Sequence, residues 1–253
     1  MSGTVLRLRR RRQRLERDDA LRNVWRREEE TRDIDAAHVG VIICDMWDAH
    51  WSGGAALRVT GMAPRMNQVV KRARDLGAHI IHAPSDTMDF YAGTPARDRI
   101  AGLSVDGDAP PPKAIEAPPL PIDDADHGSD TNDGSEDHMN WCWTRQIDVI
   151  EIDQGRDGIS DSGDEIRAYA SRRGIEQLVI MGVHTNMCIL GRSFGIREMV
   201  KRGYDIALCR DLTDAMYNPE RSPYVSHERG TELVVEYIEK FWCPTVSSDD
   251  LLG

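Results

Sequence analysis

Two segments of the chain end an apolar run on side chains that can do chemistry. His38 to Met46 (HVGVIICDM) closes on Cys44 and Asp45 and is followed by Trp47, Asp48, His50 and Trp51. Gln177 to Val183 (QLVIMGV) is followed by His184, Thr185, Asn186, Met187 and Cys188, which puts Cys188 in the first turn of the next predicted helix. Amides at a helix N-terminus lower a thiol pKa and can donate hydrogen bonds to an oxyanion, so Cys188 is the candidate nucleophile. A carboxylate beside a thiol can accept its proton and later return it to a leaving group, the role open to Asp45. Trp47, His50, Trp51 and His184 make an aromatic and imidazole rim suited to stacking on a planar ligand, with Thr185 beside it. His184 is a candidate proton carrier, and Asp48, His50 and His82 are candidates to gather a divalent cation. The remaining cysteines, Cys44, Cys142, Cys209 and Cys243, read as small buried hydrophobes.

These residues are positioned by an alternation of strand-length apolar runs and helical periodicities. Residues 38–46 read as a strand buried on both faces. Met62, Met66, Val69, Val70, Ala73 and Leu76 fall at helical spacing and stop at Gly77, a C-cap. A strand at His79 to Ala83 is stopped by Pro84, and Asp148 to Ile152 (DVIEI) reads as a third strand. A helix from Ser162 to Arg173 opens on the capping pattern Ser162, Gly163, Asp164, Glu165. The strand 177–183 leads into one helix from Asn186 to Lys201, closed by Gly203. Asp205 to Cys209 is a further strand, and the last helix covers roughly Gly230 to Phe241. Alternation at this spacing implies parallel strands joined by right-handed crossovers, a doubly wound α/β sheet with helices on both faces. In such a sheet the ligand site lies beyond the carboxyl ends of the strands, where the residues named above converge.

Two segments stand outside the alternation. Residues 1–36 form an Arg-rich arm. There Thr4, Leu6 and Leu8 share one face of a short edge strand, Leu15 to Arg27 has helical possibilities, and an extended arm packing on a partner subunit is expected. Within the main domain, 37–253, residues 85–146 are a long irregular insertion, either a cover over the site or a disordered segment.

The chain has 253 residues and a net charge of -11. Between Val105 and Asn140, ten acidic residues face Lys113 alone, which gives -9 and leaves -2 for everything else. The arginines at 7, 9, 10, 11, 12 and 14 are followed closely by Glu16, Asp18, Asp19, Glu28, Glu29 and Glu30, a self-compensating pattern that argues against a nucleic-acid partner. No run approaches the roughly 18 apolar residues that span a bilayer. An odd number of cysteines, five, in a chain long enough to build its own core argues against a disulfide framework and for the cytoplasm.

VIICDMWDAHW and LVIMGVHTNMCILG, with the alternation between them, make the chain resemble the isochorismatase-like cysteine hydrolases, the superfamily of nicotinamidases, N-carbamoylsarcosine amidases and isochorismatases. The resemblance implies their three-layer α/β fold, Asp45 as general base, Cys188 as nucleophile, and a cis peptide at Val183-His184 that turns backbone amides into an oxyanion hole. It further implies hydrolysis of a small amide or ureido C–N bond through a thioester acyl-enzyme, no required organic cofactor, a small-molecule substrate and a homo-oligomer. The metal motif of some relatives is not reproduced: Thr87 and Met88 follow Asp86 without a histidine. The family's lysine after the third strand is missing as well. The sequence there reads EIDQGRD, and Arg156 is the nearest substitute, a cation that stays protonated and cannot shuttle a proton. Two alternatives follow from that departure: lysine-independent, metal-assisted hydrolysis in the same fold, or a non-catalytic member that binds a metabolite or a protein through the acidic insertion.

Overall fold

The computed structural model describes residues 4–105, 111–131 and 142–253. Their strands form one sheet in the order β2-β1-β8-β7-β6-β3-β4-β5. The six-stranded parallel part comprises β3 (Val39–Cys44), β4 (His79–Ala83), β5 (Gly158–Ile159), β6 (Gln177–Val183), β7 (Ile206–Asp214) and β8 (Thr245–Val246). β3 and β6 are buried along their whole length because both faces are covered. Val41 and Ile43 join one core with Leu6 and Leu8 and with Val59, Met66 and Val70 of α1 (Gly53–Leu76); α2 (Pro95–Asp98) is a single turn within the insertion. Ile42 and Cys44 face the other, with Ile166 of α3 (Gly163–Arg173), Ile189 of α4 (Cys188–Gly191), Met199 of α5 (Ile196–Lys201) and Val234 of α6 (His227–Phe241). The doubly wound α/β fold is present.

Helix limits follow the expected caps. Ser52, Ser162 and Ser226 accept hydrogen bonds from the third helical amide of α1, α3 and α6, and α1 and α3 end on left-handed Gly77 and Gly174.

Three elements differ from the sequence reading. The segment Asp148 to Ile152 is not a strand. Its chain turns at residues 148–150, and the strand beside β4 is the two-residue β5 that follows. The helix expected over 186–201 is two helices, because the chain leaves helical geometry at Arg192, whose ψ is 158°, and resumes after Gly195.

The third difference is the N-terminal segment. Val5–Arg17 (β1) and Asn23–Asp35 (β2) pair along all thirteen positions as an antiparallel hairpin, and β1 meets β8 at Arg11 opposite Thr245. No helix forms at 15–27. Residues 4–35 therefore extend the sheet of their own chain. The hairpin is fastened at its middle by Glu239 of α6, whose buried carboxylate accepts from Arg11 Nε at 2.7 Å, Gln13 Nε2 at 2.8 Å and Thr245 Oγ1 at 2.7 Å. Removing one member of a buried ionic cluster strands its partners. Glu239→Ala is therefore expected to lower stability by about 3 kcal/mol in urea unfolding, an effect that would be absent if the hairpin were a loose arm.

Candidate active site

The carboxyl ends of β3 and β6 lie side by side, with Cys44 opposite Gly182. Only glycine fits at 182: φ is +112°, and a Cβ there would stand 2.0 Å from the Cys44 carbonyl oxygen. This close approach brings the residue after β3, Asp45, against the loop leading from β6 to Cys188. The peptide Val183-His184 is cis, as the resemblance implies.

Asp45 is fully buried. Its Oδ1 accepts from the Ser85 backbone N–H at 2.7 Å and its Oδ2 from Arg192 Nε at 3.1 Å, and the Cys188 thiol lies near enough for the Asp45 charge to act on it. The His184 backbone amide favours the thiolate. Arg192 also reaches the exposed Asp86 at the rim, Nη2 to Oδ2 3.2 Å. Burial raises the Asp45 carboxyl above the usual carboxylate range against the pull of Arg192. The Cys188 thiol is pushed up to about 12, first by burial and then by the Asp45 charge, with Arg192 acting the other way. The resting site is thus a protonated thiol facing a carboxylate that is ready to take the proton. Cys188 is half-buried as a residue and packs against the core on the α4 side of the sheet.

Arg192, four residues beyond Cys188, was missed by sequence reasoning, and Arg156 does not take that place. The Arg156 guanidinium is 54% exposed and pairs with Asp153 and with Asp75 of α1. Asp75 lies at the end of α1 that feeds β4, so Arg156 sits toward the amino edge of the sheet. Spacing alone pointed to Arg192, since residues i and i+4 share a helix face.

The rim is part of the expected set with one addition. Trp143, from the insertion, stacks on Trp47 with centroids 4.2 Å apart and lies 5.8 Å from His50. Trp47 is itself nearly buried and donates Nε1 to the Ser85 carbonyl. His50 touches Trp51 at 5.2 Å and His184 at 4.9 Å. Burial holds both imidazoles neutral, lowering His50 to about 4 and His184 to about 3, which leaves His184 poorly basic for the proton-carrier role. Thr185 points away from the rim: its hydroxyl bonds Thr213 Oγ1 at 2.8 Å between β6 and β7, and it is fully buried.

The three metal candidates do not come together. His82 is a buried residue between Gln146 Oε1 and Asp157 Oδ2. Asp48 accepts from the Thr144 backbone and hydroxyl and from the Arg145 amide, and His50 accepts from the Ser52 amide. Among the described residues no group of three or more His, Cys, Asp or Glu is placed to hold a metal ion, and no helix is long and apolar enough to cross a membrane.

Residues 156–225, the stretch that carries β6, the cis peptide, Cys188 and Arg192, match the isochorismatase domain family. The chain is similar in structure to a cysteine hydrolase from Pseudomonas syringae pv. phaseolicola 1448A, with a TM-score of 0.52, 14% identity, and 87% of this chain and 92% of that one covered. It is also similar to an isochorismatase from Pseudomonas putida KT2440, with a TM-score of 0.51, 12% identity, and 85% and 90% covered. No curated protein matches the chain by sequence. The chain thus has the isochorismatase-like α/β fold, and its match to that domain family includes the segment that bears the thiol.

The opposing pulls on the thiol give a direct test. Asp45→Asn removes the charge that raises Cys188 and leaves Arg192 beside it, so thiolate absorbance at 240 nm, taken as the difference from Cys188→Ala, is expected to appear at lower pH than in the unaltered protein. An unchanged or higher midpoint would mean that the thiol and the carboxylate are not in contact.

Proposed function

We propose that this protein is a cysteine-dependent hydrolase of a small amide or ureido C–N bond. The observation that carries the reading is the placement of Cys188 at the start of α4, near enough to the buried Asp45 carboxylate for that charge to act on the thiol, with Arg192 bonded to the carboxylate. With the thiol at about 12, a standing thiolate is scarce at neutral pH, so proton transfer to Asp45 accompanies attack of sulfur on the substrate carbonyl. Negative charge developing on the carbonyl oxygen would be met by the amides at the cis peptide Val183-His184. Asp45 then gives its proton to the departing nitrogen, which leaves as ammonia or an amine, and a thioester remains on Cys188. Water attacks the thioester with Asp45 as base, releasing the acid and restoring the thiol. These steps use no organic cofactor.

Arg192 is the positioning cation of this scheme. It fixes the Asp45 carboxylate and offsets its charge, and proton movement stays between sulfur, Asp45 and the leaving group because guanidinium does not give up its proton. The wall of Trp47, His50, Trp51 and Trp143 supports a small planar substrate.

A panel of carboxamides and ureides assayed for ammonia release tests the reading. Cys188→Ala is expected to abolish release. Arg192→Gln is expected to lower kcat/KM by about a hundredfold or more, the scale of losing a charged hydrogen-bonded partner, with partial recovery in Arg192→Lys, while Arg156→Ala stays at the unaltered rate. Equal release by Cys188→Ala would remove the nucleophile, and no turnover of any member together with an inert thiol would favour a non-catalytic binding protein.

The pH profile is a separate check. Asp45 acts as base only when ionised, so kcat/KM falls as pH drops through its pKa, which burial has raised. The acid limb should stand above that of an ordinary aspartate. Because Arg192 lowers this pKa, Arg192→Gln should move the limb to higher pH; a shift to lower pH would contradict the ion pair.

A further inference from the structure

The β1–β2 hairpin ends the sheet on an unpaired strand. Asn23–Asp35 is thirteen residues long, its positions 25–31 are all exposed, and among the described residues nothing pairs with its outer edge. Alternate residues of such an edge strand present backbone N–H and C=O groups outward, a template for another strand. Its sequence is NVWRREEETRDID, with two arginines directly before three glutamates.

A strand that meets its own copy about a two-fold axis pairs antiparallel. Residues whose backbone groups point outward must face residues whose groups also point outward, so the axis has to pass through a residue and not between two. Centring on Glu29 opposes Glu28 to Glu30 and Arg26 to Arg32, two like-charge pairs, and leaves Arg27 opposite Thr31. Centring on Arg27 leaves one arginine pair, Arg26 with Glu28, and sets Val24 against Glu30. Centring on Glu28 opposes Arg26 to Glu30 and Arg27 to Glu29, each twice by symmetry, with Trp25 opposite Thr31. Centring on Glu30 also makes two opposite pairs, Arg27 with Asp33 and Glu28 with Arg32, but Arg32 is already bonded to Asp205 at 2.6 Å and Asp33 to Arg7 at 2.9 Å. Opposite charges directly across a ladder stabilise it and like charges oppose it, so the Glu28 register, built on more weakly held side chains, is favoured. These side chains can exchange partners: Arg26, Arg27 and Glu30 are 59%, 60% and 68% exposed in their present ion pairs with Glu16, Glu236 and Arg10, and Glu29 is exposed.

We propose that two copies of this chain pair antiparallel through β2 with the axis at Glu28, joining their sheets into one continuous sheet. The interface is isologous, the commonest form of homodimer. It lies at the opposite end of the sheet order from β3 and β4, separated from β6 and its thiol by β1, β8 and β7.

Sedimentation equilibrium of the full chain is expected to give the dimer mass, and Arg26→Glu with Arg27→Glu the monomer mass. Adding Glu29→Arg and Glu30→Arg to that pair restores the complement and should restore the dimer. Glu28→Gln, which removes the only like-charge pair on the axis, should lower the dimer dissociation constant. In a Cys142→Ser background, Glu28→Cys places two thiols across the axis at a distance a disulfide can bridge and should cross-link under mild oxidation, faster than Glu29→Cys, which faces position 27 of the other copy. The cross-link reports on the register even if the charge variants fold poorly. A monomer at every concentration, a dimer indifferent to charge reversal, or cross-linking at 29 in preference to 28 would overturn the proposal.

Discussion

A carboxylate with no access to water survives in a protein only when its charge and its lone pairs are met. Asp45 meets that condition with two bonding partners drawn from different parts of the chain, the Ser85 amide after β4 and the Arg192 guanidinium after α4, beside the Cys188 thiol that opens α4. Each of those segments is therefore fixed by the same charge. Arg192 keeps a helical φ of -62° and its amide still bonds the Cys188 carbonyl at 3.0 Å, so its side chain projects from the same turn as the thiol, while ψ 158° redirects only the chain beyond it. Arg192 keeps one further contact, with exposed Asp86, so the cation links the buried base to the rim.

This placement explains what the sequence disclosed and what it hid. β3, β4 and β6 were legible because strands covered on both faces are continuous apolar runs, and the two ends that deliver Asp45 and Cys188 came with them. The third strand was not. DVIEI has the composition of a strand, yet Val149 is exposed, Ile150 is buried in one core and Ile152 packs half-buried against another cluster, while the true strand, Gly158–Ile159, is too short to carry any periodicity. A search for a cation ordered by strand number then arrived at Arg156, whose partners Asp153 and Asp75 lie on the wrong side. Counting along the nucleophile's own helix arrives at Arg192. Thr185 was misplaced for a related reason: the residues after a strand do not all face the cavity, and this one still serves the β6–β7 ladder through Thr213 and the Asp214 carbonyl.

The hairpin escaped a hydrophobic reading because so little of it is hydrophobic. Leu6 and Leu8 reach the core, and beyond them the strand is held by charge. Arg9 bonds Asp250, Arg10 bonds Asp205 and Arg11 bonds Glu239, three carboxylates placed by the C-terminal turn, the start of β7 and α6. The self-compensation visible in the sequence is thus partly a long-range pairing that no local pattern contains. Arginines committed in this way present carboxylate-neutralised surface, which is the physical reason an Arg run need not read as a nucleic-acid patch.

The same reasoning applies to the acid-rich insertion, whose described part is fastened along the carboxyl edge of the sheet. Asp124 accepts from Asn186, two residues before the nucleophile, and Asn186 in turn holds Met216 through both its amide atoms. Asp126 takes Asn218 and Arg221, and Asp130 takes Arg58 in two bonds while Arg58 also holds Asp214. Gly128 passes so close to the Met216 carbonyl that a Cβ would come within 2.3 Å, so the backbone itself packs there. Further along the insertion, Trp143 closes over Trp47. Asp123 to Asp130 are thus anchors for a wall, and the Asn186 link makes that wall continuous with the turn that presents Cys188. A substrate pocket bounded in this way owes its shape to the insertion as much as to the sheet, so chains that share β3, β6 and the thiol but differ between β4 and β5 would enclose different ligands around the same reacting atoms.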